Sequence, residues 1–155
     1  MSFRNTSNII RILNTNNRAI SKYNIFNKLS NTNTEYKVSE HDTLIHALMR
    51  FSICNVTTLA VTDLNDNVIG SFSQKMYMKN ISWLEGRSNS IYIGDIYQSR
   101  DHDSVANFNT NILSCYDKVI QYNLNDLLIL DNNDYKKFGI VSTNDIIYNI
   151  LKNIE

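Results

Sequence analysis

The sequence predicts a mixed fold, α/β in class and α+β in arrangement: two β-α-β-β-α units packed about a pseudo-two-fold axis. Three observations carry this. The chain repeats itself at a shift of 68 to 69 residues. Both copies show the same succession of short apolar runs and amphipathic stretches. One such unit alone leaves an apolar sheet face bare, and a second can cover it.

The repeat is read residue by residue. At a shift of 68, Leu44 and Ile45 meet Ile112 and Leu113, Ala47 meets Cys115, Phe51 meets Val119, and Asn55 meets Asn123. Leu59-Ala-Val-Thr-Asp63 then meets Leu127-Leu-Ile-Leu-Asp131. One residue inserted in the next turn raises the shift to 69, and Val68-Ile-Gly-Ser-Phe-Ser73 meets Lys137-Phe-Gly-Ile-Val-Ser142. The match includes both a turn acid and a glycine.

Each unit begins with a short lead-in around Val38 or Val105. A helix follows, capped by Thr43, or by Thr110 or Asn111, with apolar stripes of Leu44, Ala47, Leu48 and Phe51, and of Ile112, Cys115, Tyr116, Val119 and Ile120. Runs at 59–62 and 127–130 end in Asp and a polar turn, and second runs at about 68–72 and 137–141 complete two hairpins. A closing helix starts near Ser73 or Ser142; it carries Tyr77 and Ile81 in one copy, Ile146, Ile147, Ile150 and Leu151 in the other. The implied organisation is a head at 1–34, a first unit at 35–82, a linker at 83–104 and a second unit at 105–155. Trp83 and Leu84 are expected to pack in the core.

Composition removes several functions. At 155 residues and 43% hydrophobic content the chain can bury a core. No stretch reaches the roughly 18 apolar residues of a membrane span. Two cysteines, Cys54 and Cys115, make no disulfide framework and no zinc spacing, and read as buried thiols. With four glycines and no proline there is no GxGxxG or GxxxxGK loop. A net charge of zero argues against a general nucleic-acid binder. No nucleophile–base pair, carboxylate pair or metal cluster emerges, so the reading is non-catalytic.

The zero is a sum of opposites. Residues 1–34 hold Arg4, Arg11, Arg18, Lys22 and Lys28 and no acid, leaving 10 basic against 15 acidic groups beyond them. Basic, hydroxyl-rich and acid-poor, with apolar Ile9, Ile10, Ile12 and Leu13, this head has the composition of a mitochondrial transit peptide. The alternative is an Asn-rich disordered tail. The expected location is the mitochondrial matrix, or the cytoplasm on the second reading.

The most specific motif is Phe138-Gly-Ile-Val-Ser-Thr-Asn-Asp-Ile146: a strand ending in glycine, two apolar residues and a hydroxyl, then two residues, an aspartate and a helix. It resembles the CBS-domain signature, and the pair of units resembles a Bateman module over about 36–153. The linker segments Leu84-Glu-Gly-Arg-Ser88 and Ile93-Gly-Asp-Ile-Tyr97 are similar to those of stand-alone two-CBS proteins, including mitochondrial ones of plants. Gly70-Ser-Phe-Ser-Gln-Lys-Met76 departs from the pattern, with Met76 where the aspartate belongs.

The resemblance implies an adenine nucleotide (AMP, ADP or ATP) in the cleft between the units. Gly139 would admit a ligand close to the backbone. Ser142 would meet ribose or phosphate, and Asp145 would accept from two ribose hydroxyls. The helix start at Thr143 and Asn144 would offer N–H groups to phosphate, and Leu127, Leu128 and Val141 would sandwich the adenine. The resemblance further implies a homodimer formed through the helices and a protein partner, thioredoxin-like in the plant proteins. Beside it stands a local reading: Ser142-x-x-Asp145 also has capping-box spacing. The rival function is a structural or assembly protein with decayed ligand sites.

Overall fold

The structure, a computed structural model, describes residues 36–152. The basic head read as a transit peptide or tail lies outside the described residues.

The first unit comprises β1 (Lys37–Ser39), α1 (Leu44–Cys54), β2 (Thr58–Thr62), β3 (Val68–Ser73), α2 (Gln74–Lys79) and α3 (Ile81–Leu84). A 3-10 turn at Ile93–Asp95 and a short strand β4 (Gln98–Ser99) lead to the second unit: β5 (Ala106–Asn107), α4 (Ile112–Tyr122), β6 (Asp126–Leu130), β7 (Phe138–Ser142) and α5 (Thr143–Lys152). Two sheets result, ordered β1-β2-β3-β4 and β5-β6-β7. In each, a parallel pair is joined through a helix and an antiparallel pair through a hairpin, as the connection lengths require.

The register repeats with the sequence. Val38 pairs with Val61 and Ala106 with Ile129. Leu59 pairs with Phe72 and Val61 with Gly70; Leu127 pairs with Val141 and Ile129 with Gly139. Asn55 and Asn123 end α1 and α4 with φ of 53° and 52°. Asn tolerates this left-handed conformation better than other side chains, so the same residue terminates both helices. The caps at the other ends differ. Asn111 accepts from the Ser114 N–H at 2.8 Å. Thr43 occupies the corresponding place with no side-chain bond.

Strand alternation splits the core in two. Leu59, Val61 and Phe72 point to their own helices and join Val38, Leu44, Ala47, Phe51, Leu84 and Ile93; the Phe51 and Phe72 rings stack at 5.8 Å. The opposite face sends Ala60 and Val68 against Leu128, Leu130, Phe138 and Ile140 of the second unit. That shared cluster joins the units, and it explains why β2 and β6 are apolar on both faces.

Four details depart from expectation. Ile120, expected on the apolar stripe of α4, is exposed. The closing helix of the first unit is broken at Asn80, whose side-chain amide donates to the Met76 carbonyl at 2.8 Å and competes with the helical ladder. Trp83 is 45% exposed and its indole N–H donates to Asn80 Oδ1, while Leu84 is buried. The linker is not wholly irregular, because β4 extends the first sheet antiparallel to β3. Gly70 makes that approach possible: a Cβ there would stand 1.9 Å from the Gln98 carbonyl oxygen.

Candidate functional site

Two equivalent strand-to-helix turns open α2 and α5, and the first faces the joint between the units. At the first, Ser73 Oγ accepts from the Met76 N–H at 3.1 Å, and the Gln74 N–H donates to the Thr57 carbonyl at 2.9 Å. At the second, Ser142 Oγ accepts from the Asp145 N–H at 3.1 Å, and the Thr143 N–H donates to the Asn125 carbonyl at 2.9 Å. The capping role read for Ser142 is therefore present, at a typical worth of about 0.5–2 kcal/mol.

The structure places the sequence-nominated residues as follows. Ser142, Thr143 and Asp145 are half-buried and Asn144 is exposed, all at one turn. Thr143 Oγ1 donates toward the Leu124 and Asn125 carbonyls, both at 3.1 Å. Gly139 sits one turn-length back, inside β7, opposite Ile129. Leu127 and Val141 are fully buried, and Leu128 belongs to the cluster that joins the units. These three side chains are occupied by packing, so a base at this turn would rest on backbone edges rather than between them.

Open space lies at the first turn. A cleft of about 320 Å³ is lined by Thr57, Ser73 and Lys75 of the first unit and by Asn123 and Asn125 of the second. A smaller recess of about 80 Å³ shares Ser73 and Lys75 and adds Lys79 and Tyr122. Met76, at the position of Asp145, packs on the first unit's core. Asp126 closes the back of the joint, with Oδ2 accepting from both the N–H and the hydroxyl of Thr57. Lys75 crosses from α2 to the carbonyls of Tyr122 and Asn123 at the end of α4.

Sequence reasoning missed Lys75, Thr57 and Asp126. Lys75 had a signal: the repeat sets it against Asn144, a change of charge within the motif. The Asp126–Thr57 tie has none, because it joins residues 69 apart that correspond to unlike partners in the other copy.

The linker holds a polar cluster beside this cleft. Tyr122 donates its hydroxyl proton to Asp103 at 3.1 Å, and Lys118 lies 3.5 Å from the same carboxylate. The tyrosine bond and then the lysine charge hold the Asp103 carboxyl below the usual carboxylate range. Desolvation, then the Asp103 hydrogen bond and charge, raise the Tyr122 phenol. Burial pushes the Cys115 thiol up to about 12, opposed in part by Lys118; this is an inert thiol. Cys54 is half-exposed, so only one of the two expected buried thiols is deeply enclosed. Among the described residues no group of three metal-ligating side chains occurs, and no helix is long and apolar enough to cross a membrane.

No protein-family model and no curated protein matches this sequence. Solved structures do. CBSX2 in complex with AMP aligns with a TM-score of 0.65 at 16% identity, over 89% of this chain and 99% of that one. A protein with CBS domains from Burkholderia ambifaria aligns with a TM-score of 0.68 at 16% identity, over 88% and 96% of the two chains. The CBS domains of a transcriptional regulator from Streptococcus pneumoniae align at 0.60 and 18%, over 78% and 94%. Such identities speak for the fold. With two β-α-β-β-α halves in matching register across one shared cluster, the chain has the fold of a tandem CBS-domain protein, a Bateman module.

Proposed function

We propose that the chain is a non-catalytic regulatory module that binds an adenine nucleotide between its two units and passes the bound state to a protein partner. The observation that carries this reading is the Ser142–Asp145 turn, where the Asp145 N–H donates to the Ser142 hydroxyl at the start of α5, in a fold shared with an AMP-bound protein. In this reading Asp145 accepts from the ribose hydroxyls, and Ser142, Thr143 and Asn144 face the phosphate. The Ser142 hydroxyl proton remains available while its oxygen caps α5. Ligand that prefers one placement of the units biases the module toward it, and a partner sensitive to that placement reads the change.

The test is calorimetric titration of the folded chain with AMP, ATP, NADH and S-adenosylmethionine. At least one is expected to bind, and Asp145→Ala to weaken it by roughly 1.5–3 kcal/mol, the scale of hydrogen bonds to a charged group. Failure of all four overturns the nucleotide reading and leaves the assembly protein, which the packed Leu127, Leu128 and Val141 favour.

The same proposal includes a homodimer and a mitochondrial location. The homodimer is supported by a stripe on α1, where Ile45, Met49 and Ile53 are 39%, 57% and 74% exposed. Sedimentation of wild type against Met49→Glu checks it, with a monomeric wild type as the contrary result. The location rests on the acid-free head and is checked by fractionating cells that express the full chain.

A further inference from the structure

We infer that residues 23–31 of the basic head complete the second sheet, lying along the outer edge of β7 as residues 91–99 lie along β3. The two sheets are unequal. The first has a fourth strand because β4 pairs with the outer edge of β3, Gly70 with Ser99 and Ser71 with Gln98. Among the described residues the second sheet stops at β7. Its ladder fixes which backbone groups are left over. The Lys137 carbonyl accepts from the Asp131 N–H, and the Thr143 N–H donates to the Asn125 carbonyl, so the odd-numbered residues of this stretch face β6. The register is regular from Phe138 to Ser142, so Phe138 and Ile140 turn their N–H and C=O groups outward. Both residues are buried, and so are Gly139 and Val141. No proline, bulge or charged side chain interrupts this edge. A buried, apolar and regular strand edge calls for a partner strand.

The repeat names the occupant. At the shift of 68, Ile91 meets Tyr23, Ile93 meets Ile25, Asp95 meets Asn27, Tyr97 meets Leu29, and Gln98-Ser99 meets Ser30-Asn31. Ile91, Ile93 and Tyr97 pack on the first unit's core, and Tyr23, Ile25 and Leu29 keep those places apolar. Ile96 alone becomes charged, as Lys28. Gly70 admits the Gln98 carbonyl because it has no Cβ, and Gly139 holds the same place in β7, ready for the carbonyl of Ser30. Spacing agrees: Asn31 lies as far ahead of Val38 as Ser99 lies ahead of Ala106. The described chain begins at Tyr36, packed on the cluster that joins the units. Symmetry supplies the crossing. β4 leads into the second unit yet pairs with the first sheet, so residues 30–31, which lead into the first unit, fall to the second sheet. The head is then structural from residue 23 onward, and a processing cut leaves the edge covered only if it falls earlier.

The test is amide hydrogen exchange of the full chain, read by NMR. The Ile140 N–H should exchange at least about a hundredfold more slowly than an unstructured amide. The reference is the Arg100 N–H, which donates to the Ile69 carbonyl on the first sheet. Ile25→Asp combined with Leu29→Asp should speed exchange at Ile140 about tenfold or more while Arg100 keeps its protection. Ile9→Asp combined with Ile12→Asp, ahead of the matched stretch, should change neither amide. Ser30→Pro deletes a single ladder donor and serves if the double variant does not fold; it should speed Ile140 several-fold. An unprotected Ile140 in the folded full chain overturns the proposal. So does protection that survives both the double variant and Ser30→Pro. Protection that falls on dilution overturns it too, and assigns the edge to a second copy of the chain.

Discussion

Asp126 holds Thr57 across the joint of the units: Oδ2 accepts from the Thr57 N–H at 2.7 Å and from its hydroxyl at 2.6 Å. One residue opens β6 and the other precedes β2, so the carboxylate fixes the two strands at their shared end. Both bonds are charge-assisted, and both residues are half-buried. Asp126→Ala is expected to destabilise by about 2–3 kcal/mol, because it also strands a partly buried N–H. Asp126→Asn should cost less, since an amide oxygen still accepts. Chemical denaturation reads both, and an Ala variant within about 0.5 kcal/mol of wild type would refute the tie.

Gly70→Ala should detach β4. The new Cβ would lie 1.9 Å from the Gln98 carbonyl oxygen and 2.6 Å from the Tyr97 ring, and backbone cannot yield as a side chain does. A loss of about 1–3 kcal/mol or more is expected, the scale of overpacking. Amide exchange localises it: protection should fall at Arg100, whose N–H donates to the Ile69 carbonyl, while the second hairpin keeps its own.

Cys115 gives the stability a slope at alkaline pH. Its thiol is raised from about 9 to about 12 by burial. Between those values the unfolded chain has released a proton that the folded chain retains, so stability falls as pH rises from 9 toward 12, by at most about 1.4 kcal/mol per unit. Below pH 9 the group contributes no slope. The difference between wild type and Cys115→Ala in denaturation across this range isolates it. Alkylation of the native protein at pH 8 should spare Cys115 and modify it only after unfolding.

Tyr122→Phe should raise the Asp103 titration toward the ordinary carboxylate range, since the phenol hydrogen bond is the largest cause of its lowering. The sign follows from the direction of the shift: the tie between linker and α4 is complete above the usual carboxylate range and is lost as pH falls through the lowered value. Carbon-13 NMR of the Asp103 carboxyl reads the midpoint, and an unmoved midpoint would assign the lowering to the Lys118 and His102 side chains instead.

Much of the fold was legible because repetition doubles every signal. Asn55 and Asn123, Gly70 and Gly139, and Ser73 and Ser142 each occupy equivalent places, and the strands begin within a residue of the expected positions. The extra residue was placed in the turn, and the hairpins do differ there: the first carries a bulge at Val61/Thr62 and a shorter connection. What escaped has no period. A two-residue strand such as β4 cannot show alternation, and Asn80 breaks a helix through a side-chain bond that only the folded chain reveals. The candidate site was legible as a turn, since Ser142 and Asp145 do come together. Its surroundings were not. Apolar Leu127, Leu128 and Val141 read equally as ring contacts or as packing, and the neighbouring unit decides between those uses.

Because β4 is hydrogen-bonded to β3 and Val68 is buried among side chains of the other half, neither copy is an independent cassette. A fragment cut at residue 97 would strip the outer strand from one sheet, and a fragment begun at residue 105 would leave Leu128 and Phe138 bare to water. Each half thus completes the other's core, and the two are expected to unfold together.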